Sequence, residues 1–200
     1  MDIENSEIKT EKSLGTPINI REMRLSDLKS LHSMYDSLPD EDKRFFHPGF
    51  LGYKSISFYW LLFQPILVLS SFKSIRRLLL VLSPIVFLPL VAINKKGMVV
   101  GFAYLKINRR LRNGCLHSSL GIVVEKSSRG IGLGSELMER LLELARKEKI
   151  CEIYLTVHSD NIKAIRLYKK HGFQEVGEIL DWWKGKPFLS KVMKKVVGKD

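Results

Sequence analysis

Val123-Val124-Glu125-Lys126-Ser127-Ser128-Arg129-Gly130-Ile131-Gly132-Leu133-Gly134 runs directly into Ser135-Glu136-Leu137-Met138-Glu139-Arg140-Leu141-Leu142. An apolar extended run, a glycine-rich turn and an amphipathic helix follow one another without a spacer. At such a junction the first N–H groups of the helix have no intrahelical acceptor, and the positive end of the helix dipole adds to them. Glycine at 130, 132 and 134 removes side chains that would hold an anion off the backbone, and it admits positive φ where the loop folds back. The segment suits a pyrophosphate, and equally a tight structural connection. Spacing excludes two phosphate signatures. Gly130-x-Gly132-x-Gly134 is not the G-x-G-x-x-G of dinucleotide folds, and no Gly-Lys-Ser/Thr follows as in a P-loop.

Toward the C-terminus, Leu137, Met138, Leu141, Leu142 and Ala145 form the apolar stripe of the helix, and Glu152–Val157 reads as a strand. A helix bearing Tyr168 follows, Gly172 is placed to end it, and strand-like segments at 174–180 and 188–197 close the chain. Toward the N-terminus, Cys115–Val124 reads as a strand reached through a turn at Asn113-Gly114. Met98–Leu105 is another, joined to Leu88–Ile93 by the hairpin chemistry of Asn94-Lys95-Lys96-Gly97. Ile18–Met23 alternates as a strand. Ser26-Asp27 caps a helix with Leu28, Leu31, Met34 and Tyr35 on one side, and Pro39–Pro48 reads as a short second helix. The order is mixed α/β, with antiparallel hairpins first and β-α-β units later.

Residues 58–93 break the pattern. Phe58–Phe72 is almost wholly apolar, Lys73-Ser74-Ile75-Arg76-Arg77 interrupts it, and Leu78–Ile93 is apolar again. Each run is shorter than the roughly 20 residues of a membrane-crossing helix, and Pro65, Pro84 and Pro89 interrupt them further, so a transmembrane span is not expected. Two readings stand. In one, Leu88–Ile93 is a core strand and the rest a buried helical insert at about 56–88; in the other, 58–93 is an apolar surface for a membrane, a partner chain or a greasy acceptor.

Arg129-x-x-Gly132-x-Gly134 resembles the Q/R-x-x-G-x-G/A signature of the GNAT family of N-acetyltransferases. Downstream, Asn161-Ile162-Lys163-Ala164-Ile165-Arg166-Leu167-Tyr168-Lys169-Lys170-His171-Gly172-Phe173 resembles that family's N-x-x-A-x-x-L-Y-x-x-x-G-F element almost position for position. The resemblance covers residues 17–55 and 90–197, most strongly from 115 onward. It implies the acyl-CoA N-acyltransferase fold, a mixed, mostly antiparallel central sheet flanked by helices. It also implies acetyl-CoA as cosubstrate and no metal, with direct transfer of the acetyl group to a primary amine of a small-molecule or protein acceptor.

The site residues follow from the same resemblance. The pyrophosphate falls to Arg129, Gly130, Ile131, Gly132, Leu133, Gly134 and Ser135, and main-chain N–H groups at Val123 and Val124 face the thioester, where an oxyanion needs donors. Tyr168 matches the general acid that protonates the departing sulfur; outside the motif it would read as a packing tyrosine. Asn161 matches a contact to the pantetheine arm, and it also suits a helix cap. Lys126 and Lys169 are either 3′-phosphate contacts or solvated charges. A protonated amine, with an ordinary pKa near 10.4, needs a base. Relatives carry a carboxylate where this chain has Thr156 or the His117-Ser118-Ser119 stretch, which leaves His117 as candidate base, His47 as a second, and Glu125 as a solvated side chain. The missing carboxylate also admits another reading, a catalytically weak acyl-CoA sensor or scaffold recruited by the apolar insert.

The chain has 200 residues and a net charge of +12, which favours acidic partners such as coenzyme A. Its basic residues are spread without an aromatic-studded sheet or recognition helix, so nucleic acid is not an expected partner. A single domain over 17–200 is expected, acting as monomer or homodimer, after a polar, flexible tail at 1–16 that lacks the features of a secretory signal. The expected location is the cytoplasm, with peripheral membrane contact open through 58–93. Cys115 and Cys151 have neither metal-ligand spacing nor a disulfide framework and read as buried thiols.

Overall fold

A computed structural model describes residues 18–46, 85–112 and 114–198. Seven strands form one sheet in the order β1-β2-β3-β4-β5-β7-β6. They are β1 (Asn19–Glu22), β2 (Ile85–Ile93), β3 (Val99–Arg112), β4 (Cys115–Val124), β5 (Ile150–His158), β6 (Gln174–Trp183) and β7 (Lys186–Val196). Among the described residues the helices are α1 (Leu28–Asp36), the single turn α2 (Asp40–Lys43), α3 (Leu133–Lys147) and α4 (Ile162–Lys170). All strand pairs are antiparallel except β4 with β5, which α3 joins as a crossover. The expected mixed, mostly antiparallel sheet with flanking helices is therefore present.

The tail at 1–16, His47 and residues 56–84 of the insert lie outside the described residues; residues 85–88 belong to β2. No described helix is long and apolar enough to cross a membrane.

Strand alternation divides the interior into two layers. Ala103, Leu105 and Ile107 of β3 point to one face, where Leu133, Leu137, Met138, Leu141 and Leu142 of α3 and Ile165 and Tyr168 of α4 pack. On the other face Phe102 and Tyr104 meet Leu31, Met34 and Tyr35 of α1, with Phe46. Asp27 anchors the start of α1 differently from the expected cap. Its carboxylate accepts from Arg21 Nη1 and Nη2 at 2.7 and 2.8 Å and from the Arg24 N–H at 2.7 Å.

The feature that shapes the site is the parting of β4 from β5. Their ladder runs from Leu116 opposite Ile150 to Ser119 opposite Tyr154 and stops there, although both strands continue, to Val124 and His158. Each arm stays anchored on its outer side, β4 to β3 through Val124 and β5 to β7 through His158. The result is a V, closed at the strand starts and open at their ends.

At the closed end the structure corrects the reading of the cysteines. Cys115 and Cys151 are joined in a disulfide, with Cα atoms 5.8 Å apart, and no free cysteine remains. The crossover through α3 sets the starts of two parallel strands side by side, a proximity that sequence separation conceals.

Candidate active site

The glycine loop reaches α3 through two residues in the left-handed region, Gly130 at φ +81° and Gly132 at +89°. Those angles turn the backbone so that successive N–H groups face one side. The N–H groups of Gly130, Ile131, Gly132, Leu133 and Gly134 meet no acceptor among the described residues. A Cβ built on Gly130 or Gly132 would find no atom within 4 Å, so the space in front of the loop is open. This row of donors at a helix N-terminus fits an anionic diphosphate without rearrangement.

The side chains nearest this loop are committed to the protein. Arg129 Nε donates to the Val124 carbonyl at 2.8 Å and its Nη1 lies 3.1 Å from Asp42 Oδ1, so the guanidinium ties the loop to β4 and α2. Its own N–H makes a long contact of 3.4 Å to Lys126 O. Ser135 Oγ sits 2.7 Å from His171 Nε2 and accepts from Lys170 Nζ at 3.3 Å, linking the start of α3 to the end of α4. Burial holds the His171 imidazole below its ordinary pKa, so it serves this contact as a neutral ring. Lys126 and Lys169 are exposed.

Hydrogen-bond alternation decides which main-chain groups line the V. The Glu125 N–H donates to Val100 O at 2.9 Å. In the uninterrupted register above it, Val123 therefore exchanges bonds with Phe102, whereas Ile122 and Val124 turn their N–H groups away from β3, toward β5. On the other arm the Ser159 N–H donates to Leu189 O, which by the same alternation turns the N–H groups of Thr156 and His158 toward β4. Beyond Ser119 and Tyr154 these groups have no ladder partner across the gap. Main-chain groups on both arms of the opening could pair with an extended ligand that carries amide groups of its own.

Tyr168 projects from α4, whose N-cap Asn161 accepts from the Ala164 N–H at 3.2 Å, the alternative to the pantetheine contact expected of it. The Tyr168 ring is buried against Phe173, with centroids 5.9 Å apart. Burial, with a further contribution from Tyr104, pushes the phenol well above its ordinary pKa, so it is a proton donor throughout the neutral range.

His117 stands apart from these groups. It lies in the paired section of β4 opposite Glu152, six residues or roughly 20 Å before Val123. Its Nδ1 is 3.1 Å from Glu152 Oε2, a contact outside the angle of an aligned hydrogen bond. Hydrogen bonds from Lys194 and Tyr154 hold the Glu152 carboxyl below its ordinary pKa. The structure thus gathers the 130–134 donors, Val124 and Tyr168 around the open end of the V and leaves His117 toward the closed end.

Two groups at the open end were not singled out in the sequence. Tyr104 packs directly over Gly121 of β4. His158, the last residue of β5, pairs with Asp160, which in turn accepts from Arg44 Nη2 at 2.7 Å. The His-x-Asp spacing just before Asn161 was the available signal, masked by the cap that the same stretch provides. Among the described residues, no group of three or more His, Cys, Asp or Glu side chains is placed to hold a metal.

Comparison with known proteins agrees with this geometry. The Acetyltransferase (GNAT) family matches residues 55–173. A spermine/spermidine N(1)-acetyltransferase of Bacillus subtilis (strain 168) is 40% identical over 57 residues, which are 28% of this chain and 38% of that protein's length. Two solved structures share the fold over most of the chain. An acetyltransferase of the GNAT family from Streptococcus pneumoniae is similar with TM-score 0.65 and 23% identity, over 90% of this chain and 99% of the other. A GNAT superfamily phosphinothricin acetyltransferase from Sinorhizobium meliloti, in complex with acetyl-CoA, gives TM-score 0.62 and 17% identity over 91% and 89%. With the family match over residues 55–173 spanning more than half of its length, the chain belongs to the GNAT acetyltransferase family.

Proposed function

We propose that this protein transfers an acetyl group from acetyl-CoA to a primary amine. The observation that carries the reading is the row of N–H groups from Gly130 to Gly134, which meets no acceptor among the described residues and stands at the mouth of the V. The diphosphate binds these donors, and the pantetheine arm lies in the slot, where its amides meet main-chain groups of β4 and β5. Acetyl-CoA supplies the activated acyl group as a thioester. The Val124 N–H faces the thioester oxygen and stabilises the charge that grows there. Tyr168 holds its proton until the sulfur leaves and then donates it from Oη.

The partial similarity to a spermine/spermidine N(1)-acetyltransferase supports an aliphatic primary amine, protonated in solution, as the acceptor class. Titration calorimetry tests the first half of the reading, with binding at micromolar acetyl-CoA as the expected result and no heat at millimolar ligand as its refutation. Thiol release with amine acceptors tests the second half. The absence of a carboxylate at Thr156, together with the engagement of His117 by Glu152, favours one alternative, an acyl-CoA-binding scaffold. That alternative binds acetyl-CoA and releases no thiol with any amine.

A further inference from the structure

We propose that His158, held by Asp160, is the general base that takes the proton from the acceptor amine. The proposal rests on the acetyl-transfer reading above and supplies the base that the sequence lacks at the family positions.

Position is the first argument. The β4–β5 ladder ends at Ser119 and Tyr154, and His158 lies four residues beyond Tyr154 as Val123 lies four beyond Ser119, so the two stand level across the open V. Face is the second. The His158 ring stacks on Phe188 of β7 at 4.2 Å and 14°, and it meets the edge of Phe45, just past α2, at 5.4 Å. It therefore lies on the α1–α2 side of the sheet. Tyr168 belongs to the opposite layer, with α3 and α4. A proton acceptor and a proton donor thus flank the slot from its two sides, as an amine entering from one face and a sulfur leaving on the other require.

The local chemistry suits the role. The side chain is only 10% exposed, and Nδ1 is buried against Asp160 Oδ1. Arg44, whose guanidinium also covers Phe45 at 4.6 Å, fixes the same carboxylate through Oδ2. Among the described residues, Asp160 and Arg44 are the charged groups around this ring, and Phe45 and Phe188 stack on or meet it. A carboxylate on Nδ1 favours the tautomer with its proton there and the lone pair on Nε2. Nε2 has no partner among the described residues. The Nδ1 contact is close without being aligned as a hydrogen bond, which is common for catalytic pairs before substrate binds.

The step balances as follows. Nε2 takes one proton from the ammonium. The freed nitrogen lone pair forms the C–N bond to the acyl carbon, the C–S bond breaks, and its electron pair stays on sulfur, which takes the Tyr168 proton. The second proton on nitrogen passes to solvent, and solvent restores the phenol and clears the imidazolium.

The test compares wild type with His158→Gln and Asp160→Asn. Calorimetry with acetyl-CoA is the control on the underlying reading: both variants are expected to bind within about twofold of wild type. A wild-type protein that binds none overturns the transfer reading and this proposal together. Thiol release with spermine is then followed between about pH 6 and pH 10. His158→Gln is expected to be roughly 10²- to 10⁴-fold slower at neutral pH and to recover most of its rate near pH 10, where the amine loses its proton unaided. Asp160→Asn, which removes a positioning residue, is expected to lose about tenfold. A His158→Gln to wild-type ratio that stays constant across pH overturns the assignment, because a packing defect has no such dependence. Nitrogen-15 spectra of the ring give a readout without turnover: Nδ1 protonated and Nε2 bare in the free protein supports the proposal, and the reverse tautomer overturns it.

Discussion

Tyr104 lies so close over Gly121 that a methyl group built on Gly121 would fall 2.6 Å from its Cε1 and 2.9 Å from both Cζ and Oη. The two residues face each other across β3 and β4, and Gly121 is the second residue of β4 past the last pair with β5. The ring is also wedged among Phe46, Phe87 and Phe102 at 6.2, 5.7 and 6.0 Å, so it has little room to retreat. Gly121→Ala is therefore expected to cost about 1–3 kcal/mol in urea unfolding. Adding Tyr104→Ala should recover part of that cost; strictly additive effects, within about 0.5 kcal/mol, would show that the close approach is not its source.

Gly132→Asp puts a carboxylate among the N–H donors proposed to hold the diphosphate and forces a Cβ into the left-handed region at φ +89°. The strain costs about 1–2 kcal/mol, while the charge opposes the diphosphate directly. Calorimetry should show at least a hundredfold loss of acetyl-CoA affinity in a protein that still melts cooperatively. Gly132→Ala carries the strain without the charge and should retain most of the binding; equal losses in the two variants would assign the effect to the backbone.

Tyr168→Phe removes the hydroxyl proposed to protonate the leaving sulfur and keeps the packing against Phe173. Because burial pushes the phenol above its ordinary pKa, it stays protonated from neutral to moderately alkaline pH and adds no limb to the rate profile there. The variant is expected to lower kcat about 10- to 100-fold with KM for acetyl-CoA unchanged and the shape of the profile between about pH 6 and 9 preserved. A raised KM with unchanged kcat would make Tyr168 a binding residue instead.

How far the sequence could be read depends on whether a feature is local. The loop at 129–134 and the element at 161–173 are contiguous, and their glycine, cap and stripe residues act through neighbours a turn away, so both were visible. The hairpin at Asn94–Gly97 was equally legible: Asn94 Oδ1 accepts from the Lys96 and Met98 N–H groups at 3.0 Å each. The parting of β4 from β5 was not, since β4 reads as one continuous strand and only register shows where pairing stops. Arg44 and Asp160 are 116 residues apart, and nothing in either neighbourhood points to the other. The same holds for Glu152, whose place opposite His117 follows from strand register alone.

Asp27 gives the fold a measurable pH dependence. Burial alone would raise its pKa, but hydrogen bonds from Arg21 and the Arg24 N–H and the charges of both arginines outweigh it, and the carboxyl sits below its ordinary value. A depressed folded pKa contributes stability that is complete above the unfolded value near 3.9 and is lost as pH falls through the folded value. Asp27→Asn is expected to be about 2 kcal/mol less stable than wild type at pH 7, with the difference shrinking below about pH 4. Urea midpoints at pH 7 and pH 3 check the sign, and a gap that widens in acid would contradict it.

The Cys115–Cys151 bond closes a loop with a sequence separation of 36 residues at the base of the V. Loop-closure entropy for that length amounts to about 4 kcal/mol, removed from the unfolded chain. A reducing compartment keeps such thiols free, so stability becomes a function of redox conditions. Reduction, or Cys151→Ser, should lower the urea midpoint by a corresponding amount. The bond also pins the two strands next to the only four ladder pairs that join them, Leu116–Ile150 to Ser119–Tyr154. Loss of the bond lets the arms separate, which should weaken acetyl-CoA binding several-fold while leaving kcat at saturation unchanged. Equal midpoints with and without reductant would mean that the ladder alone holds the V closed.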